Sequence, residues 1–140
     1  SMDFLKVIDH LNRHPVTFTA DMTLEAAVDK LSASGQIGGP VIDAQHKVVG
    51  FLSEQDCLSR MLVASYHDQM SAYVSDVMHK EVITVKPDTG IIELAQMMVQ
   101  QKPKLYPVVD DNQRLIGVIS RTNVLKAIDQ ELHSHYRKVS

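Results

Sequence analysis

Two segments of the sequence carry a serine that is followed, three residues later, by a carboxylate or an amide. Ser53 and Asp56 form the first pair, and Ser120 and Asn123 form the second pair. Each pair follows an apolar run and opens a stretch with helical spacing. A helix N-terminus offers free N–H groups and partial positive charge, so a hydroxyl there can add a hydrogen bond to a phosphate. The same pattern also describes an ordinary capping box without a ligand, and the sequence leaves both interpretations open.

The two pairs differ in charge. The first helix opens with Glu54 and Asp56, whereas the second opens with Arg121 and has no acid in its first turn. Acids offset the positive potential that a phosphate needs, while arginine can bind a phosphate through two hydrogen bonds. The Asp56 carboxylate accepts charge-assisted hydrogen bonds, whereas the amide of Asn123 is neutral. The charges therefore favour a phosphate at the second pair rather than at the first.

These pairs lie at matched positions of an internal repeat. Sliding the sequence against itself by 67 residues gives 10 identities over the 55 positions from 7 to 61. Random matching at typical composition gives only about three or four identities. The matched positions include Val7/Val74, Asp9/Asp76, Thr17/Thr84, Asp21/Asp88, Pro40/Pro107, Val41/Val108, Asp43/Asp110, Gly50/Gly117, Ser53/Ser120 and Leu58/Leu125.

Each repeat is predicted to run β-α-β-β-α, which indicates an α+β fold with α/β-like order. A short strand (16–18 or 82–85) leads to an Asp that we expect to cap a helix, Asp21 in the first copy and Asp88 in the second. Two apolar strands around a turn follow, and the closing helix begins at the serine of each pair.

Further elements frame the repeats. Apolar residues at helical spacing predict an amphipathic helix over 3–12, and the polar stretch 65–72 is predicted to connect the repeats, with a short helical turn opening at Ser75. We therefore divide the chain into 2–66, the first repeat with its N-terminal helix, and 67–140, the connector with the second repeat and a C-terminal helix. A unit of this size is marginally stable alone, so the repeats are expected to pack together.

The strand-turn-strand segment 38–56, with Gly-Gly-Pro-Val-Ile-Asp and Gly-Phe-Leu-Ser-x-x-Asp, resembles the cystathionine-β-synthase (CBS) repeat. Segment 106–123 resembles it again, and Asp76-Val77-Met78 before 82–88 is similar to the usual entry into such a unit. The resemblance implies two CBS repeats about a pseudo-twofold axis, a Bateman module. It implies clefts that hold adenine nucleotides or nucleosides, a disc-like homodimer, and regulation of another activity.

The resemblance also implies a base pocket next to each pair. We name the two sites the first cleft, with Ser53 and Asp56, and the second cleft, with Ser120, Arg121 and Asn123. The resemblance implies a ribose contact at Asp56 and Asn123, and Asp56 suits a ribose diol better because a carboxylate accepts charge-assisted hydrogen bonds. Our hypothesis is that the first cleft favours a nucleoside or nothing, and that the second favours a phosphorylated ligand. Gly38 and Gly39 are expected to leave room beside the backbone. Tyr106 either stacks on a base or only packs in the core, and Lys104 either reaches a phosphate or is a solvated charge. The base-pocket residues are Thr17, Ile37, Gly38, Gly39, Thr84, Lys104, Leu105 and Tyr106.

Composition excludes several other classes. A net charge of −3 and a pI near 6.1 argue against a nucleic-acid partner, and no apolar run is long enough to span a membrane. Cys57 is the only cysteine, and it is expected to be a buried small hydrophobe. Among the seven histidines only His10 and His14 are four residues apart, and His14 lies beyond the helix predicted over 3–12, so no metal site is predicted. We find no nucleophile–base pair and expect no catalytic activity.

The sequence thus predicts a cytoplasmic, energy-sensing regulatory module. We expect that it requires no cofactor, and the resemblance implies that it binds AMP, ADP, ATP or adenosine as a regulatory ligand. Because the two repeats fill the 140 residues, regulation is expected to act on a separate, unidentified protein partner. The alternative is a homodimerisation or scaffold protein whose clefts stay empty, which the acidic Glu54 and the amide at Asn123 favour.

Overall fold

The computed structural model describes residues 2–67, 71–101 and 103–139. The prediction of an α+β fold with two similar halves is confirmed. After a 3-10 turn (Val7–Asp9), the first half contains α1 (Leu24–Ser34), β1 (Gly38–Ile42), β2 (Val48–Ser53) and α2 (Glu54–His67). The second contains α3 (Val74–Val77), α4 (Ile91–Gln100), β3 (Leu105–Val109), β4 (Leu115–Ser120) and α5 (Arg121–Val139).

Each half has an antiparallel hairpin, β1–β2 or β3–β4. The register of each hairpin shifts at the same place, between Val41 and Ile42 and between Val108 and Val109. The predicted opening strands are shorter than expected. Each consists of one parallel bridge, from Phe18 to Val41 in the first half and from Val85 to Val108 in the second.

The segment that enters each repeat pairs with the sheet of the other repeat. Asn12 and Val118 exchange two backbone hydrogen bonds, of 2.8 and 2.9 Å. His79 and Phe51, the residues 67 positions away from these two, exchange two bonds of 2.9 Å. The halves are therefore joined by two matched backbone crossings, and each sheet end carries residues from the opposite repeat.

The glycines Gly50 and Gly117 allow these crossings. A Cβ at Gly117 would lie 2.3 Å from the carbonyl oxygen of Asn12, and one at Gly50 would lie 2.9 Å from that of His79. Only a residue without a side chain permits backbone to approach so closely. The group that approaches each of these glycines is therefore the backbone of the opposite repeat.

Two hydrophobic clusters form the core, and the N-terminal segment belongs to the second. The first cluster contains Val16, Phe18, Leu24, Ala27, Leu31, Val41, Leu52, Cys57 and Val74. The second contains Leu5, Val7, Val85, Ile91, Leu94, Met98, Tyr106, Val108, Ile119, Val124 and Ala127. Each entry segment thus buries its apolar residues against the other repeat, which ties the stability of one half to the other.

The predicted helix over 3–12 is wrong. Its backbone N–H groups are used between the repeats: the N–H of Val7 donates to the carbonyl of Thr89 at 2.9 Å, and that of Ile8 donates to Pro87 at 2.9 Å. These bonds replace the i to i−4 bonds of a helix, so only the 3-10 turn forms.

The predicted helix caps are wrong by two residues. Thr23 caps α1, with its side chain accepting a hydrogen bond from the N–H of Ala26 at 3.2 Å, and Gly90 occupies the same place before α4. Asp21 instead accepts a hydrogen bond from the hydroxyl of Thr19 at 2.8 Å.

Among the described residues, we find no helix that combines the length and the apolar character needed to cross a bilayer.

Candidate functional site

The first pair forms a closed capping box at the start of α2. The Ser53 Oγ accepts a hydrogen bond from the N–H of Asp56 at 3.1 Å. In return, Asp56 Oδ2 accepts from the N–H of Ser53 at 3.1 Å and from its hydroxyl at 2.7 Å. The structure thus shows a capping box, and its hydrogen bonds engage one of the two oxygens of the Asp56 carboxylate.

The second pair repeats this geometry at the start of α5. The Ser120 Oγ accepts from the N–H of Asn123 at 3.1 Å, and Asn123 Oδ1 accepts from the N–H and hydroxyl of Ser120 at 2.9 and 3.0 Å. Sequence and local chemistry agree here, since a Ser with a hydrogen-bonding side chain three residues later satisfies two N–H groups that the helix leaves free.

A residue from the second repeat completes the first cleft. His79 Nε2 lies 2.8 Å from Asp56 Oδ1, so the second carboxylate oxygen is also engaged. The backbone crossing with Phe51 brings His79 to this place. In the second cleft the matching crossing supplies Asn12, whose Oδ1 accepts a hydrogen bond from the N–H of His14 at 2.9 Å.

The surroundings of the two clefts carry different charges. The crossing segment at the first cleft borders an open groove of about 710 Å³, which is lined by Ser75, Asp76, Met78, His79, Lys80 and Glu81. In the matching segment of the first repeat, Arg13 corresponds to Lys80 and His14 corresponds to Glu81. With Glu54 at the start of α2 and Arg121 at the start of α5, the first cleft is the more acidic of the two.

The predicted base-pocket residues of the first repeat partly meet at the cleft. The carbonyl of Ile37 accepts a hydrogen bond from the N–H of Glu54 at 2.9 Å, and Gly38 pairs with Ser53 across the hairpin. The expected free space beside the glycines is absent, because a Cβ at Gly38 would lie 2.9 Å from the Phe51 ring. The space beside Gly39 is filled as well, by Val16, whose carbonyl oxygen lies 2.1 Å from the Cβ position. Thr17 follows Val16, and its carbonyl accepts a hydrogen bond from Lys30.

In the second repeat the start of β3 is placed in the same way beside α5. The carbonyl of Lys104 accepts a hydrogen bond from the N–H of Arg121 at 3.0 Å, and Leu105 pairs with Ser120. The Lys104 side chain is exposed, and Thr84 is half-buried just before the bridging Val85.

Tyr106 belongs to the core. Its side chain is fully buried in the second cluster, so packing, the alternative to base stacking, describes its position. The Tyr106 hydroxyl has no hydrogen-bond partner among the described residues. Burial raises the pKa of this phenol, and the positive charge of Arg121 partly opposes the shift.

Sequence reasoning missed His79 and Asn12. The offset of 67 relates these two residues to each other, but it relates neither to the serine pairs. The signal that finds them is the close packing required at Gly50 and Gly117, because it implies that another backbone segment lies there. The identity of that segment follows only from the crossing.

The comparisons with known proteins agree with this architecture. The family model of the CBS domain matches residues 7–63 and again residues 74–130. The A-adding tRNA nucleotidyltransferase of Aquifex aeolicus is 30% identical over 128 residues, which are 91% of this chain and 15% of that protein. The chain spans between 15% and 22% of the length of the first three curated relatives that it matches.

Solved structures resemble the whole fold. A putative acetoin utilization protein (AcuB) from Vibrio cholerae has a TM-score of 0.82 at 28% identity, covering 95% of this chain and 96% of that one. CBSX2 in complex with AMP has a TM-score of 0.80 at 26% identity, covering 90% of this chain and 97% of that one. With the two family matches spanning nearly the entire sequence, the chain belongs to the CBS domain family and carries two copies of the domain in tandem.

Proposed function

We propose that this protein is a regulatory module that binds an adenine nucleotide or nucleoside in its clefts. The observation that carries the proposal is the repeated capping box at the N-termini of α2 and α5. Each box holds a serine hydroxyl and, three residues later, a carboxylate or amide that can form hydrogen bonds with a ribose. The similarity to CBSX2, solved in complex with AMP, supports the ligand class. AMP, ADP, ATP and adenosine fit this description, and the ligand regulates without being a required cofactor.

The second cleft is proposed to hold the phosphorylated ligand. Arg121 opens α5 with an exposed guanidinium, and Arg13 follows the crossing residue Asn12. A cation at the positive end of a 19-residue helix favours an anion. Asn123 accepts hydrogen bonds but adds no negative charge, so nothing in the capping box repels a phosphate.

The first cleft is proposed to hold an uncharged nucleoside. Glu54 and Asp56 lie in the first turn of α2, and Glu81 lines the adjacent groove. This acidity disfavours a phosphate, whereas the Asp56 carboxylate can accept two hydrogen bonds from a ribose diol.

Calorimetry with AMP and with adenosine tests both assignments. Arg121→Ala is expected to weaken AMP binding about tenfold, because a charge-assisted contact to phosphate is lost. Glu54→Ala serves as the matched control at the corresponding position of α2, and it should leave that AMP affinity unchanged. An AMP affinity that survives Arg121→Ala would contradict the assignment of the phosphate to the second cleft.

The proposed role involves no catalysis. The side chains that meet in the clefts bind and orient a ligand. Cys57 is buried, and burial raises the pKa of its thiol, with Asp56 and Glu54 adding to the shift. A protonated, buried thiol is a poor nucleophile. We propose that ligand binding is read by a separate protein partner, and the cytoplasmic location stays a prediction.

A homodimer is proposed from the outer faces of α2 and α5. Leu58 and Leu125 occupy matched positions and are 60% and 69% exposed. Other exposed apolar residues on these two helices are Met61, Leu62, Val63 and Leu132. Such a face, repeated about a pseudo-twofold axis, suits an isologous contact with a second copy.

Sedimentation measurements on the Leu58→Lys/Leu125→Lys variant test the dimer. We expect the variant to be monomeric at concentrations at which the wild-type protein is dimeric. A dimer that forms normally while neither AMP nor adenosine binds would favour the scaffold function instead, in which the clefts stay empty.

A further inference from the structure

We propose that His79 is an internal competitor of the ligand in the first cleft, so that it sets the affinity of that cleft for a nucleoside. The inference rests on the proposed function, and it concerns a residue that the second repeat contributes to the site of the first. Where the ribose of a nucleoside would bind Asp56, the imidazole already lies at hydrogen-bonding distance.

Both oxygens of the Asp56 carboxylate are engaged within the protein. Oδ2 accepts two hydrogen bonds from Ser53, at 3.1 Å from its N–H and 2.7 Å from its hydroxyl. Oδ1 faces His79 Nε2 at 2.8 Å, and the side chain of Asp56 is only 16% exposed. Because the capping bonds hold α2 in place, a ribose hydroxyl gains access to this carboxylate most readily by displacing the imidazole.

The imidazole can leave without disturbing the fold. The His79 backbone is fixed by two hydrogen bonds of 2.9 Å to Phe51, and its carbonyl lies against Gly50. The side chain is 66% exposed, so rotation about its own bonds carries it into solvent. Displacement therefore costs the contact with Asp56, while the crossing between the repeats stays intact.

In the second cleft, the part of the chain that the structure describes shows no such competitor. Its crossing residue is Asn12 and its capping residue is Asn123, and the Asn12 Oδ1 is bonded to the N–H of His14. The structure thus contains a natural comparison in which the same backbone carries a His–Asp contact on one side and two amides on the other. His79→Asn converts the first cleft to the second arrangement at this position.

The test is calorimetry with adenosine in a Ser120→Ala/Arg121→Ala background, which disables the second cleft. His79→Asn is expected to tighten adenosine binding about two- to fivefold, the range of one hydrogen bond that no longer has to be broken. His133→Asn is the matched control, because His133 is also 66% exposed and faces a carboxylate, Asp129, at 3.7 Å on α5. This control should leave adenosine binding unchanged.

Two further measurements distinguish competition between His79 and the ligand from a merely structural role of His79. In an Asp56→Asn background, adding His79→Asn should no longer change the affinity for adenosine. In the wild-type protein, the imidazole NMR signal of His79 should shift on adenosine addition, whereas the signal of His133 should not.

The outcomes distinguish this inference from the function on which it rests. Tighter binding in His79→Asn, lost when Asp56 is also changed, supports the inference. Adenosine binding that is equal or weaker in His79→Asn overturns the inference and leaves the proposed function standing. An absence of adenosine and AMP binding to every protein, wild type included, overturns both together.

Discussion

The two repeats share one backbone and differ in the side chains placed on it. The crossings, the parallel bridges, the hairpin shifts and the capping boxes all recur at an offset of 67 residues. The clefts at the ends of this frame are nevertheless unequal, with Asp56 and His79 in one and Asn123 and Asn12 in the other. Symmetry in the backbone therefore preserves the geometry of a site, while its chemistry changes through a few side chains.

The first strand of each hairpin shows a second difference. Gly39 in β1 corresponds to Tyr106 in β3, and Val16 lies against Gly39 with its carbonyl oxygen 2.1 Å from the Cβ position. Ile83, the counterpart of Val16, is 42% exposed, whereas Val16 is buried. The first repeat thus packs an opening segment against this strand, and the second repeat uses the tyrosine ring to build its core.

The largest effect is expected at Tyr106. Tyr106→Ala removes a fully buried ring from the second cluster and should lower the free energy of unfolding by about 3–5 kcal/mol. Tyr106→Phe is the matched control: it keeps the ring and removes a hydroxyl that has no partner among the described residues, so stability should be equal or higher. Urea unfolding measures both, and a clear loss in Tyr106→Phe would show that the hydroxyl is hydrogen-bonded.

The crossing glycines should differ in the same experiment. Gly117→Ala places a Cβ 2.3 Å from the carbonyl oxygen of Asn12, and we expect a loss of about 2–3 kcal/mol. Gly50→Ala meets the Met78 sulfur at 2.5 Å, a flexible side chain, and the His79 oxygen at 2.9 Å, so its cost should be smaller. Gly90→Ala, with no atom closer than 3.9 Å, is the control and should cost below about 1 kcal/mol. Equal losses in all three variants would contradict the crossing geometry.

Local chemistry made much of this fold predictable. The positions of α1, of the two hairpins and of the closing helices follow from apolar spacing, turn residues and the Ser-x-x-Asp and Ser-x-x-Asn capping patterns. These signals lie within a few residues of the elements that they specify. The internal repeat supported each predicted element a second time, because the same element had to fit the sequence of both copies.

These failures have one physical cause, which is contact between segments that lie far apart in the sequence. Val7 and Ile8 looked helical by spacing, but their backbone N–H groups donate to carbonyls in the loop before α4, far along the chain. The glycines of β1 indicated room for a ligand, yet Val16 and Phe51 fill that space. His79 gave no local sign of facing Asp56, since only the crossing brings the two together.

The capping boxes should also be unequal. Ser53→Ala loses a 2.7 Å bond from a hydroxyl to a carboxylate, whereas Ser120→Ala loses a 3.0 Å bond to a neutral amide. Each variant also loses the hydrogen bond that the serine oxygen accepts from the N–H of the residue three positions later. We expect a loss of about 1–2 kcal/mol for Ser53→Ala and about 0.5–1 kcal/mol for Ser120→Ala. Thermal unfolding checks the order, and a larger effect of Ser120→Ala would reverse the comparison.

The smallest predicted effect is a pH dependence at the second hairpin turn. Asp110 Oδ1 accepts hydrogen bonds from the N–H groups of Arg114 at 3.0 Å and Asn112 at 2.8 Å. The bond from Arg114 is the main cause that lowers the pKa of Asp110 below its ordinary value of 3.8. A lowered pKa in the folded state means that the carboxylate stabilises the fold above its unfolded pKa, and that this contribution is lost as the pH falls through the folded pKa.

Asp110→Asn keeps an acceptor for the turn and removes the titration. Urea midpoints of the wild-type protein and the variant should therefore differ slightly at about pH 5, and the difference should shrink at about pH 2.5. Asp43→Asn, in the matching turn of the first hairpin, where Oδ1 accepts from Gln45 and Lys47 at 2.9 Å, is the comparison variant. A difference at Asp110 that is constant between the two pH values would show that the carboxylate contributes through its shape alone, because a charge-dependent contribution must disappear once both states are protonated.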